Sequence, residues 1–254
     1  MPPREKHPHI NLFDASKSWK YLILGTFPPN TALRSKMYID YFYGNKGFLW
    51  RIINDIYQDR GYDFFSGEAQ ENVAQIKRWQ NDYCVALSDT IIECSRKHPL
   101  STNDSDLVDI YYNHDLKKYI LAHIGEIEKI IFTSSYGKNS AFENFKIIMG
   151  DELPRVAHAL ITGLPSPSGS ANITFFNSRN EDTLGLTKDF YEYVRDQHPH
   201  LLEEFKYRWH IKKTRQSSAE NRMNFVVPPT PKGLVTQFKL WKYRQALPST
   251  PCKN

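Results

Sequence analysis

Short apolar segments alternate with amphipathic stretches along the first 200 residues. The apolar segments are Tyr21–Phe27, Cys84–Leu87, Lys129–Ser134 and Val156–Leu164, each bounded by turn residues. Between and around them, three-and-four spacing of apolar positions predicts helices at Gly47–Gln58, Gln70–Asn81, Asp115–Glu128, Lys138–Met149 and Glu181–Gln197. Strands separated by helices are typical of βαβ units. The pattern predicts an α/β fold: a three-layer αβα domain around a central, mostly parallel sheet of about four strands.

The remaining stretches complete the predicted organisation. Asp89 precedes a predicted short helix at Thr90–Cys94 as its N-cap, and Arg96–Asp109 is polar enough for a surface loop. Pro199 is expected to end one helix before another begins at Leu201. Prolines interrupt the chain after residue 227. We therefore predict one domain over residues 1–209 and an extended arm with short induced structure, not a second core, over 210–254.

Charge separates the segment that begins at Lys206, which includes this arm, from the rest of the chain. From Lys206 onward eleven basic residues and one acidic residue give +10, which leaves −5 on residues 1–205 of the total +5. Basic side chains interleaved with aromatic ones, such as Trp209, Phe238 and Tyr243, favour a segment that follows a phosphate backbone and stacks on bases. A solvated tail that only aids solubility is the alternative.

Composition excludes several classes of protein. The apolar runs are too short for a membrane span, and the amino-terminal residues lack the apolar core of a secretory signal. Cys84, Cys94 and Cys252 lack the spacing of a disulfide framework or a zinc site, and the histidines lack ligand spacing. We expect a cytoplasmic monomer, associated with the nucleoid if the source is bacterial, with no metal and no cofactor.

Four motifs lie at the ends of the predicted strands, in order along the chain. They are Leu24–Pro29 (LGTFPP), Ala86–Arg96 (ALSDTIIECSR), Phe132–Ser135 (FTSS) and Leu164–Ser168 (LPSPS). Together they resemble the uracil-DNA glycosylase superfamily, in particular its mismatch-specific and hypoxanthine-type branches, over roughly residues 18–197. The resemblance implies a monofunctional DNA glycosylase that flips a base out of double- or single-stranded DNA and hydrolyses its N-glycosidic bond.

The resemblance also implies roles for particular residues. Side chains that contact the flipped base are expected among Thr26, Phe27, Tyr43, Phe48, Ser88 and Asp89. The last turn and the arm are expected to contact DNA phosphates. The residues involved are Pro165, Ser166, Pro167, Ser168, Ser170, Lys212, Lys213 and Arg215. Tyr43 and Phe48 could equally be core residues, as aromatic side chains at a loop–helix junction often are.

The first motif departs from the family pattern at its catalytic position. Many relatives carry Asp or Asn two residues after the glycine of this turn, where this chain has Phe27. Asn45 is the preferred replacement, followed by Asp40, and Asn30 is a third possibility. Asn45 could instead simply form the turn after Gly44. If the chemistry is lost, the protein is a catalytically inactive, glycosylase-fold DNA-binding protein.

The nature of the base depends on Asp89 in this interpretation. A carboxylate accepts a hydrogen bond from an exocyclic amine, which cytosine carries and uracil lacks. The expected substrate is therefore a deaminated base or, with Asp89 as reader, a modified cytosine, removed for repair or for defence against modified foreign DNA such as that of phages. Leu164 cannot stabilise a leaving base by hydrogen bonding, which favours a base that leaves easily. An unrelated small-molecule α/β enzyme is the third hypothesis, but it gives no role to the basic arm.

Overall fold

We describe the protein from a computed structural model, in residues 3–29, 39, 41–42, 49–167, 183, 186–206 and 232–252. The chain forms two compact units: one comprises Met1–Ala171 with Tyr243–Asn254, and the other comprises Asn172–Lys242. The domain boundary predicted after residue 209 stays a prediction. The predicted catalytic residues Asn45 and Asp40, and the basic residues of the arm at 212, 213 and 215, lie outside the described residues.

The described strands form two sheets in the first unit. They are β1 (Arg4–Lys6), β2 (Tyr21–Gly25), β3 (Val85–Asp89), β4 (Ile91–Arg96), β5 (Leu107–Tyr112), β6 (Lys129–Phe132) and β7 (Ile161–Gly163). One sheet is parallel throughout, in the order β3-β2-β6-β7. The predicted α/β class with a parallel four-stranded sheet is confirmed, and the arrangement of helices is compatible with three αβα layers.

Five of the described helices lie on the predicted amphipathic stretches, but the helix predicted over 115–128 ends at His123 and the one predicted over 181–197 begins only at Lys188. The described helices are α1 (Leu49–Tyr57), α2 (Ala69–Asp82), α3 (His114–His123), α4 (Ala141–Met149), α5 (Lys188–Gln197), α6 (residues 199–206) and α7 (Lys232–Ala246). Pro199 stands in the first turn of α6, where its missing N–H costs nothing. Ser140 caps α4 by accepting a hydrogen bond from the N–H of Glu143.

Two apolar layers enclose the parallel sheet because successive strand residues point to opposite faces. On one face Leu22, Leu24 and Phe132 pack against α3 and α4. On the other face Ile23 and Ile131 are fully buried. Trp50 and Tyr57 of α1, Trp79 of α2, and Phe64 and Tyr83 from the adjoining segments form an aromatic cluster.

The second sheet is antiparallel, in the order β1-β4-β5, and the sequence analysis does not predict it. The predicted helix after Asp89 is wrong, since Ile91–Arg96 is a strand paired on both sides. Asp89 is therefore the last residue of β3 and no helix cap. Pairing with a strand on each side, together with the strand preference of the β-branched Ile91 and Ile92, outweighs the local capping signal in this segment. The predicted surface loop at 96–109 likewise ends in β5.

The second unit has its own small core. Phe190 and Val194 of α5, Leu202 and Phe205 of α6, and Leu234 and Phe238 of α7 form this buried cluster. Residues 232–246 are thus helical, where the sequence analysis expects an extended arm. Leu234, Phe238 and Trp241 supply the helical spacing that explains the difference.

The end of the described chain is fixed within the first unit. Tyr57 donates a hydrogen bond to the carbonyl of Pro248 over 2.6 Å, and the N–H of Cys252 donates to the carbonyl of Asp82 over 2.7 Å. Cys84 and Cys252 form a disulfide with their Cα atoms 6.0 Å apart, a pairing that the sequence analysis does not predict.

We expect Phe145→Ala to lower the free energy of unfolding by about 3–5 kcal/mol, because it leaves a cavity in the core. Phe145 is fully buried on α4 and its ring lies 5.0 Å from that of Phe132. Ile147→Ala on the same helix is the matched control, since its side chain is 55% exposed, and it should change stability by less than about 0.5 kcal/mol. Urea unfolding measures both, and equal losses would contradict this packing.

Candidate functional site

Four strand-end turns meet at one edge of the parallel sheet. In the strand register Gly25 lies beside Asp89, and Phe132 lies beside both Leu24 and Gly163. Backbone hydrogen bonds join the turns beyond the strands: Thr90 to Gly25, Thr133 to Leu24, and Leu164 to Phe132, over 2.8–3.0 Å. The carboxyl edge of an open parallel sheet is where α/β folds bind ligands. This edge is the candidate site.

The first turn places Thr26 and Phe27 in different surroundings. The hydroxyl of Thr26 donates to Oδ2 of Asp104 over 3.0 Å. The ring of Phe27 is turned into the protein, edge-on to the ring of His7 at 5.5 Å and 5.6 Å from the guanidinium carbon of Arg96. Phe27 also packs against the antiparallel sheet in a small buried cluster. It contributes an apolar wall, with only 6% of the residue exposed.

Asp104 brings a carboxylate to the same edge. It lies in the loop between β4 and β5, and its Oδ2 accepts from Thr26 and from the hydroxyl of Ser134, the latter over 3.3 Å. These donors belong to the first and third motif turns. Burial raises the pKa of the Asp104 carboxyl to about 6, and the nearby Asp89 adds to this rise, while the two hydroxyls and Arg96 oppose it. A carboxyl with such a pKa can exchange protons near neutral pH.

Asp89 is held at the end of β3 by a fully buried histidine. Nε2 of His7 lies 2.8 Å from Oδ2 of Asp89, and neither side chain is more than 1% exposed. Because Nδ1 of His7 accepts the N–H of His9 over 3.0 Å, the proton of the neutral ring belongs on Nε2. His7 therefore donates to the Asp89 carboxylate and fixes its orientation.

Ser88 belongs to a buried amide network on the same strand. Its hydroxyl donates to Oδ1 of Asn11 over 2.7 Å, and the side-chain amide of Asn113 donates to Asn11, to Ser88 and to the carbonyl of Asp89. Asn11 adopts a left-handed backbone with φ of 50°. The network connects three segments that are distant in the chain, and Ser88 is only 1% exposed.

The last turn is described only in part. Pro165, Ser166 and Pro167 are half-buried, and the carbonyl of Pro165 accepts a hydrogen bond from Tyr243 over 3.2 Å. Ser168 and Ser170 lie outside the described residues, as do Asn30, Tyr43 and Phe48 of the loop after the first turn.

The structure also reveals residues that the sequence analysis missed. His7 and Asp104 carry no motif that marks them, because their roles depend on strand pairing and on a loop between two unpredicted strands. Tyr136 follows the third turn and is 94% exposed, an unusual position for an aromatic side chain.

The aromatic residues of the arm are placed differently from expectation. Phe238 is 8% exposed and Tyr243 is 1% exposed, so the base-stacking role expected for them is wrong. Trp241 packs on Phe190 at 5.4 Å between ring centroids.

The described residues contain no group of three or more His, Cys, Asp or Glu side chains that could hold a metal ion, and no helix that could cross a membrane. Comparison of the chain with family models, curated proteins and solved structures gave no match. The interpretation of the site therefore depends on its geometry and on the motif resemblance.

We expect Asp104→Asn to raise the free energy of unfolding at pH 7.5 by roughly 1–3 kcal/mol. A carboxyl whose pKa is higher in the folded than in the unfolded state destabilises the fold above both values, and that cost disappears as pH falls below them. The gain should therefore shrink toward zero at pH 4, as measured by urea unfolding at both pH values. A gain of the same size at pH 4 would contradict the raised pKa.

Proposed function

We propose that this protein is a monofunctional DNA glycosylase with a uracil-DNA-glycosylase-like fold. The observation that carries the proposal is the meeting of all four motif turns at one edge of the parallel sheet. Such an edge can receive a base rotated out of DNA, and a flipped base needs a surrounding wall, a reader of its polar edge and a group that assists hydrolysis. Phe27, Asp89 and the polar groups of the turns are the described candidates for these tasks.

Asp89 is the reader of the base in this proposal. Its carboxylate accepts hydrogen bonds only, and the donation from His7 holds it in one orientation. It therefore favours a base with an exocyclic amine, and a modified cytosine fits this requirement better than uracil. The product is DNA with an abasic site, made either in repair or in defence against modified foreign DNA.

A purely DNA-binding protein is the weaker alternative for a specific reason. The apolar Phe27 in the first turn favours a loss of catalytic activity. The same turn nevertheless contacts a carboxylate, since Thr26 donates to Asp104. Burial of the Asp104 carboxyl lowers the free energy of unfolding. A protein that only binds DNA would have no functional reason to keep a destabilising carboxyl beside this turn.

We expect the purified protein to generate abasic sites in DNA that contains an amino-bearing target base. The test is alkali cleavage of oligonucleotides and genomic DNAs carrying uracil, hypoxanthine, mismatches or hypermodified cytosines. Asp89→Asn keeps an oxygen for His7 but replaces an acceptor with an amide donor. It should lower kcat/KM on the amino-bearing base roughly tenfold to hundredfold and favour bases that carry a carbonyl instead.

The exposed Asp59→Asn is the matched control and should behave as the wild type. DNA binding without any abasic product across the whole panel would reject glycosylase activity. Equal loss on every base in Asp89→Asn would reject its role as reader.

We expect replacement of Lys212, Lys213 and Arg215 by Gln to weaken DNA binding and reduce its salt dependence. Each phosphate contact contributes about 0.9 to the slope of log affinity against log salt on duplex DNA, so the slope should fall by up to about 2.7. Lys17→Gln with Lys20→Gln is the control, since both residues precede β2 at the opposite edge of the sheet. Titrations by fluorescence anisotropy at several salt concentrations measure the slopes. An unchanged slope would exclude phosphate contact by these three residues.

A further inference from the structure

Hydrolysis of an N-glycosidic bond needs a group that activates water beside the sugar. The transition state carries positive charge on the sugar, so a carboxylate both accepts the proton of the attacking water and stabilises that charge. The apolar ring of Phe27 cannot do either. If the protein is a glycosylase as proposed, another residue must supply this chemistry.

Asp104 is placed where such a group is required. Its Oδ2 accepts hydrogen bonds from Thr26 of the first turn and Ser134 of the third, at 3.0 and 3.3 Å. The carboxylate therefore lies between two of the turns that follow neighbouring strands β2 and β6. Its Oδ1 accepts no hydrogen bond from any described residue, which leaves an oxygen to hold a water molecule.

The loop that carries Asp104 is anchored at several points. Asn139 donates its side-chain amide to the carbonyls of Asp104 and Leu107, at 2.8 and 2.9 Å. Arg96, only 3% exposed, donates to the carbonyls of Ser101 in this loop and Pro28 in the first turn. These bonds tie the loop to the first turn and limit the freedom of the carboxylate, as a preorganised catalytic group requires.

The charged groups around Asp104 set its affinity for a proton. Asp89 disfavours its ionised form and Arg96 favours it, while Arg96 itself is paired with Glu5 over 3.0 Å. His7 faces Asp89. With burial as the largest cause, the pKa of Asp104 lies at about 6, so near neutral pH the group is ionised yet can still take up a proton.

The geometry points to Asp104 as the general base of the reaction. Its Oδ1 orients a water molecule toward C1′ of the flipped nucleotide. As the bond from C1′ to the base nitrogen breaks, the base leaves with the electron pair and a water oxygen bonds to C1′. The water proton passes to Asp104 and is then released to solvent, from which the departing base takes up a proton.

Asn45 and Asp40 remain the sequence-based alternatives and have different chemistry. The side-chain amide of Asn45 can orient water but cannot take its proton at neutral pH. Asp40 could act as a base, and it lies outside the described residues. A rate governed by Asn45 would therefore show no loss at acid pH, whereas a rate governed by Asp40 would keep that loss after Asp104 is replaced.

The test is the single-turnover excision rate as a function of pH, on a base that the wild-type protein removes. The wild-type rate should fall with decreasing pH around a midpoint near 6. Asp104→Asn should lower the rate at pH 7.5 about 10²- to 10⁴-fold, remove this acid limb and still bind DNA. Asp106→Asn is the matched control in the same loop, because its carboxylate accepts from Ser101 and from neither motif turn.

A second variant separates a catalytic role from a structural one. Thr26→Val removes a donor that favours the ionised carboxylate, so the midpoint of the acid limb should move to higher pH. A merely structural contact would change the rate or the melting temperature without moving this midpoint.

The outcomes separate this inference from the proposed function. Excision by wild type together with an unchanged rate and acid limb in Asp104→Asn overturns the assignment of Asp104 alone. A wild-type midpoint that Thr26→Val does not move also overturns it. Absence of excision by the wild-type protein on the whole base panel overturns the glycosylase function, and the assignment of Asp104 with it.

Discussion

The parallel pairing of β2 with a neighbour on each side is the constraint on which the site depends. β3 and β6 run in the same direction as β2, so the segments that leave these strands emerge together and exchange backbone hydrogen bonds. Apolar side chains on both faces hold the register, because a shift by one residue would turn Ile23 out of one layer and Leu22 and Leu24 out of the other. The apolar packing of the strand interiors therefore determines where the polar groups at the edge are placed.

The second constraint is electrostatic. The edge concentrates Asp89, Asp104 and the buried Arg96, and each has a partner: His7 for Asp89, Thr26 for Asp104 and Glu5 for Arg96. His7 arrives from β1's end, and the Asp104 loop joins β4 to β5. The antiparallel sheet thus acts as a scaffold that delivers charged groups to turns whose own residues are mostly apolar or neutral.

The sequence predicted the parallel sheet because short apolar runs bounded by turn residues leave few other arrangements. It did not predict the antiparallel sheet, since the residues after Asp89 also suit a capped helix and only pairing with distant strands decides between the two. Asp104 is one polar residue in a polar loop, and its surroundings arise only in the tertiary structure. The helix at 232–246 could have been predicted from its apolar spacing, which the abundance of basic residues obscured. Asn45, Asp40 and the arm residues 212, 213 and 215 stay predictions.

The contact between His7 and Asp89 has a consequence for how such a protein can diverge. Residues 7 and 89 are separated by 82 positions in the chain. If Asp89 reads the base, the side chain at position 7 nevertheless decides whether residue 89 offers the base a hydrogen-bond donor or an acceptor. Substrate range could then change through a substitution near the amino terminus that leaves every motif intact. Two proteins with identical motif turns would act on different bases, and a comparison restricted to those turns would group them together.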